Sequence, residues 1–417
     1  MKTVLPSRSV LRLLSYSAAV TASAFPVPSF SQEWTRVRTE TTSDLTAVHF
    51  SDAQHGYITG AFSTLLKTSD SGDTWTPVTT PVSASFLSVA ARSPEEVFIG
   101  RVGLYRSGDS GGHWDADVGG FEAYFGSIFD ILFVSATDGF LTKDGFIFAT
   151  VNGGAQWDPV AETGLFLDDL HYAGGQTLFA TGGISYESVS RGEMARSKDG
   201  GKTWEAVPPQ QPPINEIHAA VWESAQKGIV FTFTNKAHRT EDGGDTWQIL
   251  TDAMKDTKGD PLPSIIMDAV IDAAGHIVAV DFAGNFLDSA DGTEWQVTRG
   301  SGESFSSLTK LPDGTLVAVG NNGNIWKRTS TEPPAALPLA ITDFRYDSGK
   351  HAVTLDATGT PGRDYTVELS RDLAAWEGVQ TITADGSKFS VTVDAPEAAG
   401  TAYFRLAEAK KPAKESP

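Results

Sequence analysis

The sequence predicts an all-β protein, a seven-bladed β-propeller with N-terminal strand closure, followed by a small β-sandwich domain. Three observations carry this. An eight-residue turn motif ending in tryptophan recurs at intervals in the forties. Alternating apolar runs of strand length flank each copy. The remaining unit at the C-terminal end lacks a fourth strand, and a matching strand stands at the N-terminus.

Residues 1–24 come first. Lys2, Arg8 and Arg12 precede the short apolar run Leu13–Val20, and Ala22-Ser23-Ala24 offers a small-residue cleavage site, with residue 31 as a later alternative. This pattern predicts a secretory signal peptide, because the apolar run is too short to span a bilayer. Removing the three bases leaves 29 bases against 52 acids, a formal charge of −23. Such a balance argues against nucleic acid as a partner. No later segment is apolar enough to predict a membrane span. The chain has no cysteine, which excludes disulfides, a thiolate nucleophile and Cys-ligated zinc.

The propeller is expected over 32–331. The motif reads TSDSGDTW at Trp75, SGDSGGHW at Trp114, TVNGGAQW at Trp157, SKDGGKTW at Trp204, TEDGGDTW at Trp247 and a shortened SADGTEW at Trp295. Its acidic or amide residue (Asp70, Asp109, Asn152, Asp199, Asp242, Asp291) is of a type that bonds turn backbone, and the following glycine suits a positive φ. The tryptophan is a large apolar plate suited to wedging between blades. Each motif is therefore the turn between the third and fourth strands, c and d, of one blade. The first blade is read as Leu45–Phe50, Gly56–Gly60, Thr64–Thr68 and Trp75–Val78. The last has only Ser306–Leu311, Leu316–Gly320 and Asn324–Thr329. Trp34 precedes Trp75 by 41 residues, one period, so its segment is expected to complete the last blade and remove an open edge.

The motif is the Asp box, or BNR repeat. With VG or TG ending strand b, the pattern over about 33–330 resembles the photosystem II stability and assembly factor family. That resemblance implies a seven-bladed, non-catalytic assembly chaperone. Strong acidity and the extra C-terminal module depart from the family, and the photosystem role does not transfer. Sialidases and xyloglucan-cleaving glycosidases share the box. No Arg-Ile-Pro motif occurs, however, and the region reads Trp34-Thr-Arg36-Val-Arg38-Thr. No Ser-His-Asp arrangement or calcium-loop spacing is present, so no catalytic residue, metal ligand or cofactor is assigned.

Binding residues are expected on the face away from the boxes, formed by b–c loops and d–a connections. Arg101, Lys143 and Lys236 follow strand b in three blades and could form a basic cluster beside the channel mouth. The long b–c loop Gly182–Met194 holds Tyr186 and Arg191. The connection Val118–Gly126 brings Phe121, Tyr124 and Phe125 together, either as partner anchors or as caps on blade edges.

Residues 332–338 (Glu-Pro-Pro-Ala-Ala-Leu-Pro) read as a proline-rich linker. Short alternating runs over 339–408 predict a fibronectin- or immunoglobulin-like sandwich, and 409–417 a disordered tail. The leading expectation is an exported (periplasmic, cell-surface or extracellular) non-catalytic scaffold that binds a protein partner in the cell envelope. A glycan-active protein, either a glycoside hydrolase or a lectin, is the alternative. A structural envelope protein without a discrete site is the third.

Overall fold

The computed structural model describes residues 12–13, 33–121, 124–186, 189–207, 214–251, 254–262, 264–272, 274–329, 340–347, 352–358, 364–371, 375–383, 388–394 and 403–408. Apart from Arg12–Leu13, the expected signal segment, the linker and the tail lie outside the described residues. The chain divides into two compact units, 31–332 and 1–30 with 333–417.

The larger unit is a succession of antiparallel sheets. Blade 1 comprises Leu45–Phe50, Gly56–Gly60, Leu65–Thr68 and Thr76–Pro77. Blade 2 follows with Ser88–Ala91, Val97–Gly100 and Leu104–Ser107, where a single Arg106–Asp115 bridge replaces the expected fourth strand. Asp117, at φ 46°, turns the chain away, and its carboxylate accepts the Phe121 N–H. Blades 3, 4 and 5 begin at Ile128–Phe133, Leu167–Gly174 and Ile217–Trp222, and blade 6 at Ile266–Ile271. Blade 6 also gains a short strand, Lys255–Asp256, parallel to Glu294–Arg299. The seventh sheet contains Phe305–Lys310, Leu316–Gly320 and Asn324–Arg328, and its outer strand is Thr35–Val37, antiparallel to Asn324–Arg328. The innermost strand of each sheet packs on that of the next, and Phe305–Lys310 packs on Leu45–Phe50.

Burial explains why the ring holds. Strand b is buried along its length in most blades, as in Gly56–Gly60, Gly228–Thr232 and Leu316–Gly320. Each box tryptophan sits in an apolar cluster shared with the preceding blade. Trp157 joins Phe98, Trp204 joins Phe140, Trp247 joins Phe179, and Trp295 joins Phe231. Trp34 does the same against Phe286, stacked at 4.1 Å and 10°.

The boxes satisfy themselves. In the first, Thr68 Oγ1 donates to Asp70 Oδ1 at 2.7 Å, and Asp70 also accepts the Thr74 N–H at 2.9 Å and hydroxyl at 2.6 Å. The Gly72 N–H, at φ 84°, donates back to Thr68 Oγ1. The same bonds recur at Asp199 and Asp242 with Thr203 and Thr246. At Asp109 His113 takes the threonine's place, and at Asn152 the Gln156 N–H donates. Asp291, in the shortened copy, binds Thr293 instead. Bases from one blade clasp the next blade's box: Lys67 donates to the Ser110 carbonyl, Arg92 to that of Gly153, Arg196 to that of Gly243, and Lys327 pairs with Asp73. Asp70→Ala removes three hydrogen bonds from a partly exposed turn, so a stability loss of about 1–2 kcal/mol is expected in chemical denaturation. A loss above that range would show that the turn does more than hold itself.

The smaller unit has two sheets. Ala340–Asp347, Ala352–Thr358 and Lys388–Asp394 form one; Glu377–Thr383, Asp364–Ser370 and Tyr403–Glu408 form the other, with Arg12–Leu13 parallel at its edge. Val353, Leu355, Val367, Val391, Val393 and Phe404 are buried together, as the alternation in the sequence predicts. Arg405 lies 4.2 Å from the centre of the Trp376 ring and pairs with Glu368, so that ring is covered.

Candidate functional site

Strand direction places the b–c loops and d–a connections on one face of the propeller and the Asp-box turns on the other. Backbone bonds stitch the first face: the Ala61, Phe233, Phe282 and Asn321 N–H groups donate to the Asp44, Glu216, Ile265 and Ser304 carbonyls. Each joins the end of strand b to the entry of strand a.

The expected basic cluster does not form there. Lys143 is fully buried, and its Nζ donates to the Val102 carbonyl at 2.6 Å and the Gly126 carbonyl at 2.8 Å. It ties blade 3 to the loops beside it. Burial pulls its pKa down, opposed by the charges of Asp117 and Asp144. Arg101 is half-buried and donates to the Ser85 carbonyl at 2.8 Å, and Lys236 is half-buried as well. The sequence marks a basic side chain but not the backbone carbonyls that will consume it.

The aromatic pair also belongs to the core. Phe121 is fully buried between Phe148 and Trp157, and Tyr124 packs edge-on against Phe146 and Phe148. Of the two expectations for them, the blade-edge cap is the one the packing shows. The adjacent Phe125 is the outward ring, 91% exposed. The stretch Gly182–Met194 is no irregular loop: Thr177–Tyr186 and Val189–Ser197 run on as one long hairpin, with Tyr186 opposite Val189. Arg191 pairs with Glu193 in that hairpin.

Inner-strand carboxylates supply the electrostatics that spacing missed. Asp130, Asp169 and Asp268 each stand just past a register shift in strand a of blades 3, 4 and 6. Asp130 Oδ2 accepts the Leu170 N–H of blade 4 at 3.0 Å, and Asp268 Oδ2 the Leu308 N–H of blade 7 at 2.7 Å. These are ties between neighbouring blades. Burial, with like charges nearby, pushes Asp268 up to about 7 and Asp169 well above the carboxylate range. Asp168 is pushed up to about 7 by burial and by the Glu216 and Asp130 charges, although water reaches its side chain. Half-buried His49 and His171 are lowered to about 4 by desolvation and stay neutral; His49 Nδ1 accepts the Ala91 N–H. The readable signal was an aspartate in the interior of an apolar strand (IFDIL, LDDLH, IMDAV).

The two carboxylate sets act on stability with opposite signs. Asp199, held at about 2 by bonds from Thr203 and Ser197, contributes stability present above the ordinary pKa of 3.8 and lost as pH falls through 2. Asp268 contributes stability present below 3.8 and lost as pH rises through about 7. The melting temperature is therefore expected to fall from pH 6 to pH 8, and Asp268→Asn to flatten that limb. An unchanged limb in the variant would mean Asp268 is already ionised at pH 6.

Among the described residues, no group of three or more His, Cys, Asp or Glu is placed to hold a metal ion. None of the helices among them is long and apolar enough to cross a membrane.

A family profile described as photosynthesis system II assembly factor YCF48 matches residues 27–118. No curated protein sequence gives a significant match. Among solved structures, YCF48 bound to D1 peptide is similar at 20% identity, covering 71% of this chain and 97% of that one, with a TM-score of 0.56. YCF48 from Cyanidioschyzon merolae is similar at 17% identity, covering 71% and 98%, with a TM-score of 0.53. The Niastella koreensis GH74 enzyme is more distant, at 15% identity, covering 82% and 60%, with a TM-score of 0.50. The chain is a BNR-like β-propeller that resembles the photosystem II assembly factor family.

Proposed function

We propose that this protein is an exported, non-catalytic propeller that binds a protein partner in the cell envelope through the face opposite its Asp boxes, as an assembly or stability factor. The observation that carries the reading is the contrast between faces. The box turns close their own hydrogen bonds, whereas the other face presents the phenylalanines Phe62, Phe125, Phe166, Phe233 and Phe282 to water. The solved YCF48 complex supports it, because a propeller of the same fold there holds a peptide. Export rests on the basic, apolar and small-residue pattern of residues 1–24.

The test is affinity capture from an envelope extract, with the mature chain as bait beside a Phe62→Gly/Phe233→Ser/Phe282→Ser variant. Retention of one protein by wild type alone supports the reading. Identical retention by both baits moves the binding surface elsewhere. Asp168, raised to about 7 and beside Glu216, is the one observation that favours a glycan-hydrolysing reading. Hydrolysis of a chromogenic glycoside or a β-glucan that disappears in Asp168→Asn would replace the scaffold reading by that one.

A further inference from the structure

The box-free face carries a row of apolar side chains that its own fold does not cover. Phe62, Val102, Phe233 and Phe282 stand in the b–c loops of blades 1, 2, 5 and 6, and Phe125 and Phe166 in d–a connections. Phe62 is 85% exposed and Phe125 is 91% exposed. Phe233 and Phe282 occupy the same position, the residue after strand b whose N–H bonds back to the entry of strand a. Scattered exposed apolar residues such as Val151 and Tyr172 on the box face need no explanation, but Phe62, Phe125, Phe166, Phe233 and Phe282, the exposed phenylalanines among the described residues, all stand at one end of the ring. Phe62 is held there against its preference. Its φ is 52°, in the left-handed region that a bulky side chain rarely adopts, and its N–H is tied to Ser85 Oγ.

The same face is negative. Asp44, Glu216 and Glu303 stand at the entries of strand a in blades 1, 5 and 7, and Asp168 lies within strand a of blade 4, beside Glu216. Among the described residues, none of these four has an ion pair with lysine or arginine; Glu216 has only His218, at 3.9 Å. Three of the face's cations are spent internally, Lys143 on two carbonyls, Arg101 on a third and Arg191 on Glu193, and Lys236 is half-buried.

We propose that this face binds a partner segment that is apolar and bears lysine or arginine, its apolar side chains meeting the phenylalanine row and its cation the carboxylates at the channel mouth. The inference rests on the protein-binding reading and names the chemistry of the partner. A second copy of this chain fits poorly, because face-to-face pairing would bring the carboxylates of both copies together. The carboxylates select the partner and speed encounter, while the apolar row supplies most of the affinity.

The test uses the full mature chain and three labelled 12-residue peptides in fluorescence anisotropy: a leucine-rich peptide with a central Arg-Lys pair, the same peptide with Glu-Glu, and a serine-rich peptide with Arg-Lys. The first is expected to bind at least about tenfold tighter than either control. Phe62→Gly/Phe233→Ser/Phe282→Ser should reduce that binding at least about tenfold. At pH 8, where Asp168 is ionised, Asp168→Asn should weaken the Arg-Lys peptide and leave the Glu-Glu peptide no weaker. Every substituted phenylalanine is exposed and Phe62→Gly relieves the backbone, so the melting temperature should stay within a few degrees of wild type; that measurement excludes misfolding as the cause. Equal binding of the leucine-rich Glu-Glu peptide, or of the serine-rich basic peptide, overturns the proposal. So does self-association that the phenylalanine variant abolishes, which would assign the row to a second copy. An envelope protein still captured by both Asp168→Asn and the phenylalanine variant would leave protein binding standing and sink this inference alone.

Discussion

Trp34→Ala is expected to destabilise the propeller unit by about 3–5 kcal/mol, the usual cost of emptying a buried aromatic site. Trp34 is 7% exposed, stacks flat on Phe286 of blade 6, and lies under the Arg328 guanidinium at 5.3 Å. It shares its cluster with Val278, Val280, Phe305 and Leu316. The Thr35–Val37 strand that follows is mostly exposed and contributes little apolar burial, so the tryptophan is its anchor. Losing it should release that strand and leave the Asn324–Arg328 edge unpaired. The chain has two compact units, so hydrogen exchange at residues 324–328 is a cleaner readout than one global melting curve. Protection of the 324–328 amides that face Thr35–Val37 should collapse in the variant, while that of Leu355 and Val391 in the smaller unit persists. If residues 324–328 keep full protection, the N-terminal strand does not hold the last blade.

Lys143→Glu is expected to be the most damaging charge change on the box-free face. The ammonium is fully buried and bonded to two carbonyls, so a carboxylate there would face acceptors only. A loss of about 4 kcal/mol or more, or failure to fold, is expected. The near-isosteric Lys143→Met leaves the Val102 and Gly126 carbonyls without their donor but adds no charge, and about 2–4 kcal/mol is expected. Lys236→Glu, at a half-buried position, should stay within about 0.5 kcal/mol of wild type. The comparison is read from urea midpoints at constant slope. If Lys143→Glu and Lys236→Glu behave alike, Lys143 is not the tie its bonds indicate.

Blade architecture was legible because it is written in local chemistry. A Ser or Thr, an Asp two residues on, a glycine at positive φ and a closing tryptophan form one self-contained turn, as Thr68, Asp70, Gly72 and Trp75 show. Its recurrence counts the blades, and the stray Trp34 marks where the missing strand stands. Strand limits differed by a residue or two, and blade 2 lost its fourth strand to the turn at Asp117. The binding face was far less legible. Arg101, Lys143 and Lys236 look alike in sequence, and only the folded chain shows carbonyls of neighbouring loops meeting the first two. Phe121 and Phe125 are four residues apart, yet one is core and the other stands in water.

Taken alone, the sequence determined the fold class, the hairpin turns, the spacing of the tryptophans, and the acidity of the chain. All of these depend on contacts within one repeat or on composition. The tertiary structure decided which cations stay free, which aromatics face out, and that Asp130, Asp169 and Asp268 converge on the inner strands. The physical reason is distance along the chain. Asp130 meets Leu170, and Asp268 meets Leu308, each forty residues away, and only closure of the ring brings such groups close enough for burial and like charge to shift their protonation.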